Sequence, residues 1–447
     1  MTAGEILKTL ATLAGLTLLL PLNALVTLAA LMCRSMARLT GSSLGCTVNA
    51  DSKTILVSGG KMTKALQLAR SFHQAGHRVI LVESHRYWLT GHRFSNAVDH
   101  FHTLPLPEAA GYVEALVDLI EREHVDVYIP VCSPIASLYD SQAMPVICRH
   151  CEVVHVEPET IEKLDDKFQF AEASASLDLL TPKSLLITDP RQVIDFDFTS
   201  YKRQFILKSI RYDSVRRLDL TRLPMADRKA MVTYVKALPI TDENPWVMQE
   251  FIPGTEYCTH GTLRNGELRV HCCCVSSAFQ INYEHVEKPE IEAWVRRFGD
   301  GLNLTGQASF DFIQAHDDGR IYAIECNPRT HSAITMFYNH PALSQAYLQD
   351  EPLAAAIKPL ASSRPTYWIY HELWRLITRL TSAAAVLERL KVIVHGKDAV
   401  FDWRDPLPFL MLHHWHVPLL LLRALREGRG WVKIDFNIGK LVQPGGD

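Results

Sequence analysis

The chain reads as α/β in its front half, with a Rossmann-like parallel domain, and as α+β behind. Three observations carry that reading. Between residues 54 and 156, short apolar runs alternate with amphipathic helical stretches, the pattern of parallel strands joined by helical crossovers. From Gln204 onward strand-like runs follow one another with Asn265-Gly266 and Asp318-Gly319 between them, and Asn-Gly or Asp-Gly between apolar runs is the strongest short hairpin signal. Ahead of both, residues 9–33 form a run of 25 without a charged side chain.

As a helix that first run reaches roughly 37 Å, enough to cross a hydrocarbon core of about 30 Å. Pro21 and Asn23 interrupt its centre, which membrane helices tolerate. It exceeds a usual signal-peptide core and no A-x-A-like site closes it, and its length also speaks against a buried soluble helix. Arg34 and Arg38 follow the run, whereas only Glu5 and Lys8 precede it. The positive-inside bias puts the body on the cytoplasmic side of a single-pass anchor, residues 1–40.

After a linker at 41–52, residues 54–58 read as a buried strand and Gly59-Gly60 as its turn. Residues 61–75 follow as a helix with Leu66, Ala69 and Phe72 on one side. Gly76 ends that helix before a strand at 78–83. A helix at 112–123 lies between further strands, the last of them at 125–131 and 152–156, and a first domain spans 53–157. Gly59-Gly60-Lys61 lacks the spacing of a Walker A loop or of G-x-G-x-x-G, so it reads as a tight turn. A region at 158–250 carries strands 205–208 and 246–250 around a helical patch at 227–238. The two hairpins, 257–263 with 267–274 and 307–314 with 321–326, occupy 251–345. Residues 346–447 form a helical extension, whose apolar stretch 408–422 is too short and too rich in His for a span and reads as core or interfacial.

Lys and Arg number 46 against 49 Asp and Glu, a net charge of −3, so no bulk electrostatics call for nucleic acid. Ten cysteines, three of them adjacent at Cys272, Cys273 and Cys274, do not make a disulfide framework, because neighbours on a strand point to opposite faces. Cys148 and Cys151 have no second Cys or His pair at zinc spacing.

The most informative strip is Glu325-Cys326-Asn327-Pro328-Arg329. Alternation puts Glu325 and Asn327 on one face of a strand. A hairpin turn centred on Asp318 sets Asp311 opposite Glu325, although a two-residue loop would shift that pairing by one. Three oxygen donors together form a Mg²⁺ site, and Mg²⁺ on few carboxylates commonly shares its shell with nucleotide phosphates. Lys208 in an apolar strand calls for an anion, and Lys167, after Asp165-Asp166 at a helix start, is a second candidate.

In this order Asp166-Lys167, Leu207-Lys208, residues 249–256 (QEFIPGTE), Asp311 and Glu325-x-Asn327-x-Arg329 resemble the ATP-grasp superfamily, whose members form a bond through a phosphorylated intermediate. The resemblance implies a Rossmann-like pre-ATP-grasp domain followed by an ATP-grasp fold. It implies that Lys167 and Lys208 grip ATP phosphates and that Gln249, Glu250, Phe251 and Ile252 form the hinge beside adenine. Glu256 would take ribose, Asp311, Glu325 and Asn327 would hold Mg²⁺, and Arg329 would stabilise the transferring phosphoryl group. The loop after Lys208 departs from the glycine-rich lid of many relatives; Arg211, Arg216 and Arg217 stand there instead.

The strings ILVSGGKMTKALQLARSFHQAGHRVILVE, LKSIRYDSVRRL, SSAFQINYEHVE, IECNPRTHSAITMFYNHP and GWVKIDFNIGKLV also resemble the cyanobacterial mycosporine-glycine synthase family. That likeness implies ATP-dependent joining of 4-deoxygadusol to glycine. Thr330, His331, Ser332, Ser277, Gln280, Asn282 and Tyr283 are acceptor-pocket candidates, with His331 the candidate base. A carboxylate–amine ligase working through an acyl phosphate, and a nucleotide-binding membrane scaffold without turnover, remain alternatives.

Overall fold

The computed structural model describes residues 1–39, 51–131, 133–210, 219–276, 282–378 and 382–443. The expected linker therefore lies almost wholly outside the described residues, as do Arg211, Arg216, Arg217, Ser277 and Gln280.

The uncharged run is a single helix, α1 (Ala3–Leu39). After it come β1 (Thr54–Val57), α2 (Thr63–Gln74), β2 (Arg78–Ser84), β3 (His100–Leu104), α3 (Tyr112–Glu123), β4 (Val127–Ile129), α4 (Pro134–Ile147) and β5 (Glu152–Val153). The five strands form one sheet in the order β3-β2-β1-β4-β5, every neighbouring pair parallel. Its inner strands β1, β2 and β4 are largely apolar on both faces because both are covered. Leu66, Ala69 and Phe72 of α2 seal one face with Val57 and Leu81, and Leu116, Leu119 and Ile147 of α3 and α4 seal the other with Leu56 and Ile80. Gly59 has φ +71°, and a Cβ there would stand 1.9 Å from the Val131 carbonyl oxygen, so the turn out of β1 admits glycine alone.

Next come α5 (Pro158–Asp165), α6 (Lys167–Ser176), β6 (Ser184–Ile187), α7 (Pro190–Ile194), β7 (Phe205–Ser209), α8 (Arg228–Lys236) and β8 (Trp246–Glu250). The three strands pair antiparallel in the order β6-β8-β7. Sequence reasoning misses β6, because four residues between Pro182 and Asp189-Pro190 are too few to show alternation.

A longer antiparallel sheet runs β10-β9-β12-β13, built from β9 (Gly254–Arg264), β10 (Glu267–Val275), β12 (Gly306–Ala315) and β13 (Ile321–Asn327), with α9 (Pro289–Gly301) between the hairpins. Asn265 at φ +49° and Gly266 at φ +79° make the predicted two-residue turn. The short β11 (Asn282–Tyr283) joins β14 (Thr366–Tyr367) and β15 (Lys397–Asp398) in a small sheet. Trp294 and Phe298 of α9 pack on Phe310 and Phe312, filling one face of the long sheet. Cys273 lies in that core, while Cys272 and Cys274 lie in the other. The described cysteines are free thiols.

The C-terminal region holds α10 (Leu343–Leu348), α11 (Ile369–Thr378), α12 (Ala383–His395), α13 (Leu407–Met411), a π turn (Leu412–His416), α14 (Val417–Glu427) and the hairpin of β16 (Lys433–Asp435) and β17 (Lys440–Val442). It is neither purely helical nor peripheral. Phe409, Leu412, Val417 and Leu421 share a core with Phe72 of α2, so one side of the stretch 408–422 is core, while Trp415 and Leu422 are exposed. Arg70 of α2 donates from Nε to Asp405 at 2.9 Å, with both side chains buried. Leu16 of α1 is buried in the same core, and Asn23 donates to Tyr370 Oη at 2.5 Å.

Candidate functional site

One irregularity sets the site. Near its turn the β12–β13 hairpin pairs Gln314 with Ile321 and Phe312 with Ala323, but further on it pairs Asp311 with Glu325 and Ser309 with Asn327. Ile324 is the extra residue of a bulge. Without it, alternation would carry Glu325 and Asn327 to the face of Ala323, which is buried among the aromatics of α9. The bulge reverses that phase, so Asp311, Glu325 and Asn327 emerge together on the opposite face. The expected opposition of Asp311 and Glu325 is present, produced by the bulge; the loop itself is four residues, closed by a hydrogen bond from Ala315 N–H to Arg320 O at 2.9 Å.

Two lysines meet these acids from different elements. Asp166 caps α6, accepting from the N–H groups of Phe168 and Gln169, and the next residue, Lys167, brings Nζ to 3.7 Å from Glu325. In the three-stranded sheet Phe205, Leu207, Trp246 and Met248 fill one core, so Lys208 and Gln249 share the other face by alternation. Lys208 is half-buried, and its pKa is lowered by burial, with Lys167 adding to the fall and Glu325, Glu256 and Asp311 opposing it. Burial raises the Glu325 carboxyl, but Lys167 and Lys208 outweigh it and hold the group down at about 2. Asp311 is pushed well up, by burial and then by the Glu325 charge beside it. Two adjacent carboxyls of this kind keep one proton between them, a position that a divalent cation fits.

Arg329 donates to Asn327 Oδ1 and stands 4.0 Å from Asp165. Glu256 is exposed at the rim. In the hinge, Gln249 donates to Ser184 at 3.3 Å, and the N–H groups of Glu250 and Phe251 are bound to Lys183 O and Gln204 O. Ile252 is buried against Ala315 and Tyr322. Arg203, unanticipated from sequence, ties this hinge to the hairpin turn, reaching Glu250 at 3.6 Å, Asp317 at 2.7 Å and Asp318 at 2.9 Å. Arg222 covers the Phe251 ring at 4.2 Å.

Beyond Arg329 the chain is gripped from the parallel sheet's helices: Lys64 donates to Thr330 O at 2.7 Å and Ser137 to Pro328 O at 2.9 Å. Neither contact had a sequence signal. Thr330 Oγ1 and Ser309 Oγ are buried with no hydrogen-bond partner among the described residues. His331 Nδ1 accepts from the Ala333 N–H at 3.2 Å, so its neutral ring carries the proton on Nε2. The His331 side chain is also hydrogen-bonded to Cys258. Its ring stands edge-on to Tyr283, and Ser332 accepts from Asn437 at 2.6 Å. Cys148 and Cys151 are raised by burial first, Cys151 to about 12, the behaviour of structural thiols.

No family model matches the chain, and no curated protein matches it. Solved structures do. An ADP complex of N5-carboxyaminoimidazole ribonucleotide synthetase aligns at 14% identity over 75% of this chain and 87% of that one, with a TM-score of 0.52. The fold is that of ATP-grasp enzymes. The N5-carboxyaminoimidazole synthase of Aspergillus clavatus, with ADP and aminoimidazole ribonucleotide, aligns at 13% identity over 70% and 80% of the two chains, TM-score 0.51. Biotin carboxylase of Campylobacter jejuni in a beta-gamma-ATP complex aligns at 12% over 66% and 70%, TM-score 0.52.

Proposed function

We propose that the chain is an ATP- and Mg²⁺-dependent ligase that condenses 4-deoxygadusol with glycine to mycosporine-glycine, releasing ADP and phosphate. The observation that carries the ATP-dependent part is the convergence of Asp311, Glu325 and Asn327 with Lys167 and Lys208; the acceptor comes from the sequence resemblance. The arrangement follows an ATP-grasp plan, with a Rossmann-like front domain at 53–157, a central region at 158–250, the metal-bearing sheet at 251–345 and the C-terminal extension closing the core. The apolar α1 would hold the body at a membrane, on the cytoplasmic face by the positive-inside bias of Arg34 and Arg38.

Asp311, Glu325 and Asn327 would hold Mg²⁺, which supplies charge neutralisation on the ATP phosphates. Lys167 and Lys208 bind the same phosphates. Adenine meets the hinge at Ile252, whose N–H has no hydrogen-bond partner among the described residues, and Glu256 takes the ribose. The enol oxygen of the cyclohexenone attacks the γ-phosphorus and ADP departs; Arg329 stabilises the charge on the transferring group. The glycine nitrogen, as the free amine, then adds at the activated carbon, the carbon–oxygen bond breaks, and the departing phosphate takes the proton that the nitrogen gives up. Thr330 and Ser309 supply unused hydroxyls toward the acceptor, beside His331, whose side chain is bonded to Ala333 N–H and Cys258.

Incubation with ATP, Mg²⁺, 4-deoxygadusol and glycine should yield ADP, phosphate and a new ultraviolet band. Product from a plain carboxylic acid, with none from the cyclitol, would make the chain a carboxylate–amine ligase. ATP binding with no phosphate release from any substrate pair would make it a scaffold.

A further inference from the structure

We infer that α1 lies along a lipid bilayer surface, clamped to the protein on one side and immersed by the other, instead of crossing the bilayer as a free helix. The inference rests on the membrane reading above and sharpens it.

The clamped side is continuous. Lys8 donates to the carbonyls of Trp431 and Val432 at 2.9 and 3.0 Å and sits over the Trp431 ring. Trp431 Nε1 donates to Thr9 at 2.9 Å. Two turns on, Leu16 is buried in the main core. Asn23, in the middle of the uncharged run, contacts Tyr370 of α11 and His414 of the π turn at 2.5 and 2.6 Å. Thr27 and Ala30 are buried beyond it. From Thr9 to Ala30 the helix is about 32 Å long, the thickness of a hydrocarbon core. If α1 crossed a bilayer with these contacts intact, α14 and its exposed Arg423 and Arg426 would enter the hydrocarbon with it. If it crossed alone, the contacts would break and leave Asn23 unpaired near the bilayer centre.

The other side is built for lipid. Leu7, Leu18, Leu25, Met32 and Met36 recur at helical spacing opposite the clamped face, and all are exposed, Leu18 by 80%. The exposed Thr17 turns its hydroxyl back to Leu13 O at 2.9 Å. On α11, Trp374 is exposed by 61% and Ile377 by 71%; exposed Trp beside aliphatic residues suits a membrane interface. A bilayer matches this surface better than a second copy, which would bring polar groups seeking partners at the rim.

The test uses the full chain with phosphatidylcholine–phosphatidylglycerol vesicles. Spin labels are placed at Leu7→Cys, Leu18→Cys and Leu25→Cys, with exposed Cys33 and Cys148, and Cys46 and Cys132 outside the described residues, changed to Ser, and immersion depth is read from oxygen against nickel accessibility. Equal shallow depths at all three sites are expected, together with release of the unlabelled wild-type protein by alkaline carbonate. A maximum at Leu18 flanked by shallower sites, or retention of wild type in carbonate, would mean a spanning helix and overturn the inference. Failure to bind vesicles, with or without a concentration-dependent dimer, would overturn it and the membrane reading together. ATP turnover, measured in parallel, reports separately on the ligase reading.

Discussion

Asp311→Asn separates a metal site from an ordinary buried ion pair. Burial, and then the Glu325 charge beside it, push the Asp311 carboxyl well up, whereas Lys167 and Lys208 hold Glu325 down. An acid whose folded pKa is raised is stabilising only below its unfolded pKa; as pH rises from the usual Asp range to the raised value, the folded state loses stability. At neutral pH the metal-free wild type carries that cost, and Asn, which donates to Glu325 as the protonated acid does, removes it. Metal-free Asp311→Asn should therefore be as stable as wild type or more so, by about 1–2 kcal/mol, since each pK unit is worth about 1.4 kcal/mol. With ATP and Mg²⁺ the same variant should lose about 10²–10³-fold in turnover, about 3–4 kcal/mol of transition-state stabilisation. Thermal unfolding with and without MgADP, beside a phosphate-release assay, reads both quantities. A variant that is clearly destabilised without metal, or that turns over like wild type with it, would refute the reasoning.

Lys208→Met keeps length and removes a poorly solvated charge, so stability should hold within about 1 kcal/mol while nucleotide affinity, followed by calorimetry, weakens by roughly tenfold or more. Gly59→Ala drives a Cβ against the Val131 carbonyl at a positive φ; urea unfolding should show a loss of about 2–4 kcal/mol. Glu123 accepts from Arg78 at 2.5 Å and bonds His100 and His102 at 2.9 and 2.8 Å. Burial alone would raise it, but these partners bring it down to about 2. Its stabilisation is thus complete above pH 4.5 and disappears as pH falls toward 2. Glu123→Gln should flatten acid unfolding across that window, and an unchanged acid transition would contradict the assignment.

The order of elements was legible because each rests on local chemistry. The apolar runs of β1 and β2, the helix at Tyr112–Glu123 and the Asn265-Gly266 turn follow from side-chain period and from backbone angles that few residues adopt. Lys208 stood out for the same local reason, a lone cation in an apolar strand. β6 was too short to show a period, and Arg203 and Lys64 carry no signal, since each acquires its meaning from a partner a hundred or more residues away. The stretch 408–422 looked ambiguous because apolar content alone cannot tell a core helix from a surface one.

By itself the sequence determined the donor types and their spacing: two carboxylates, an amide and two lysines on strands and a helix start. The tertiary structure decided which way they point. Glu325 faces Asp311 and not the α9 core because Ile324 bulges out of the ladder, and strand alternation has no freedom except through such an insertion. It also decided the setting of α1, whose composition fits a membrane span but whose Asn23 is held by Tyr370 and His414. Composition records how much apolar surface a helix has; only packing records which side of it is already covered.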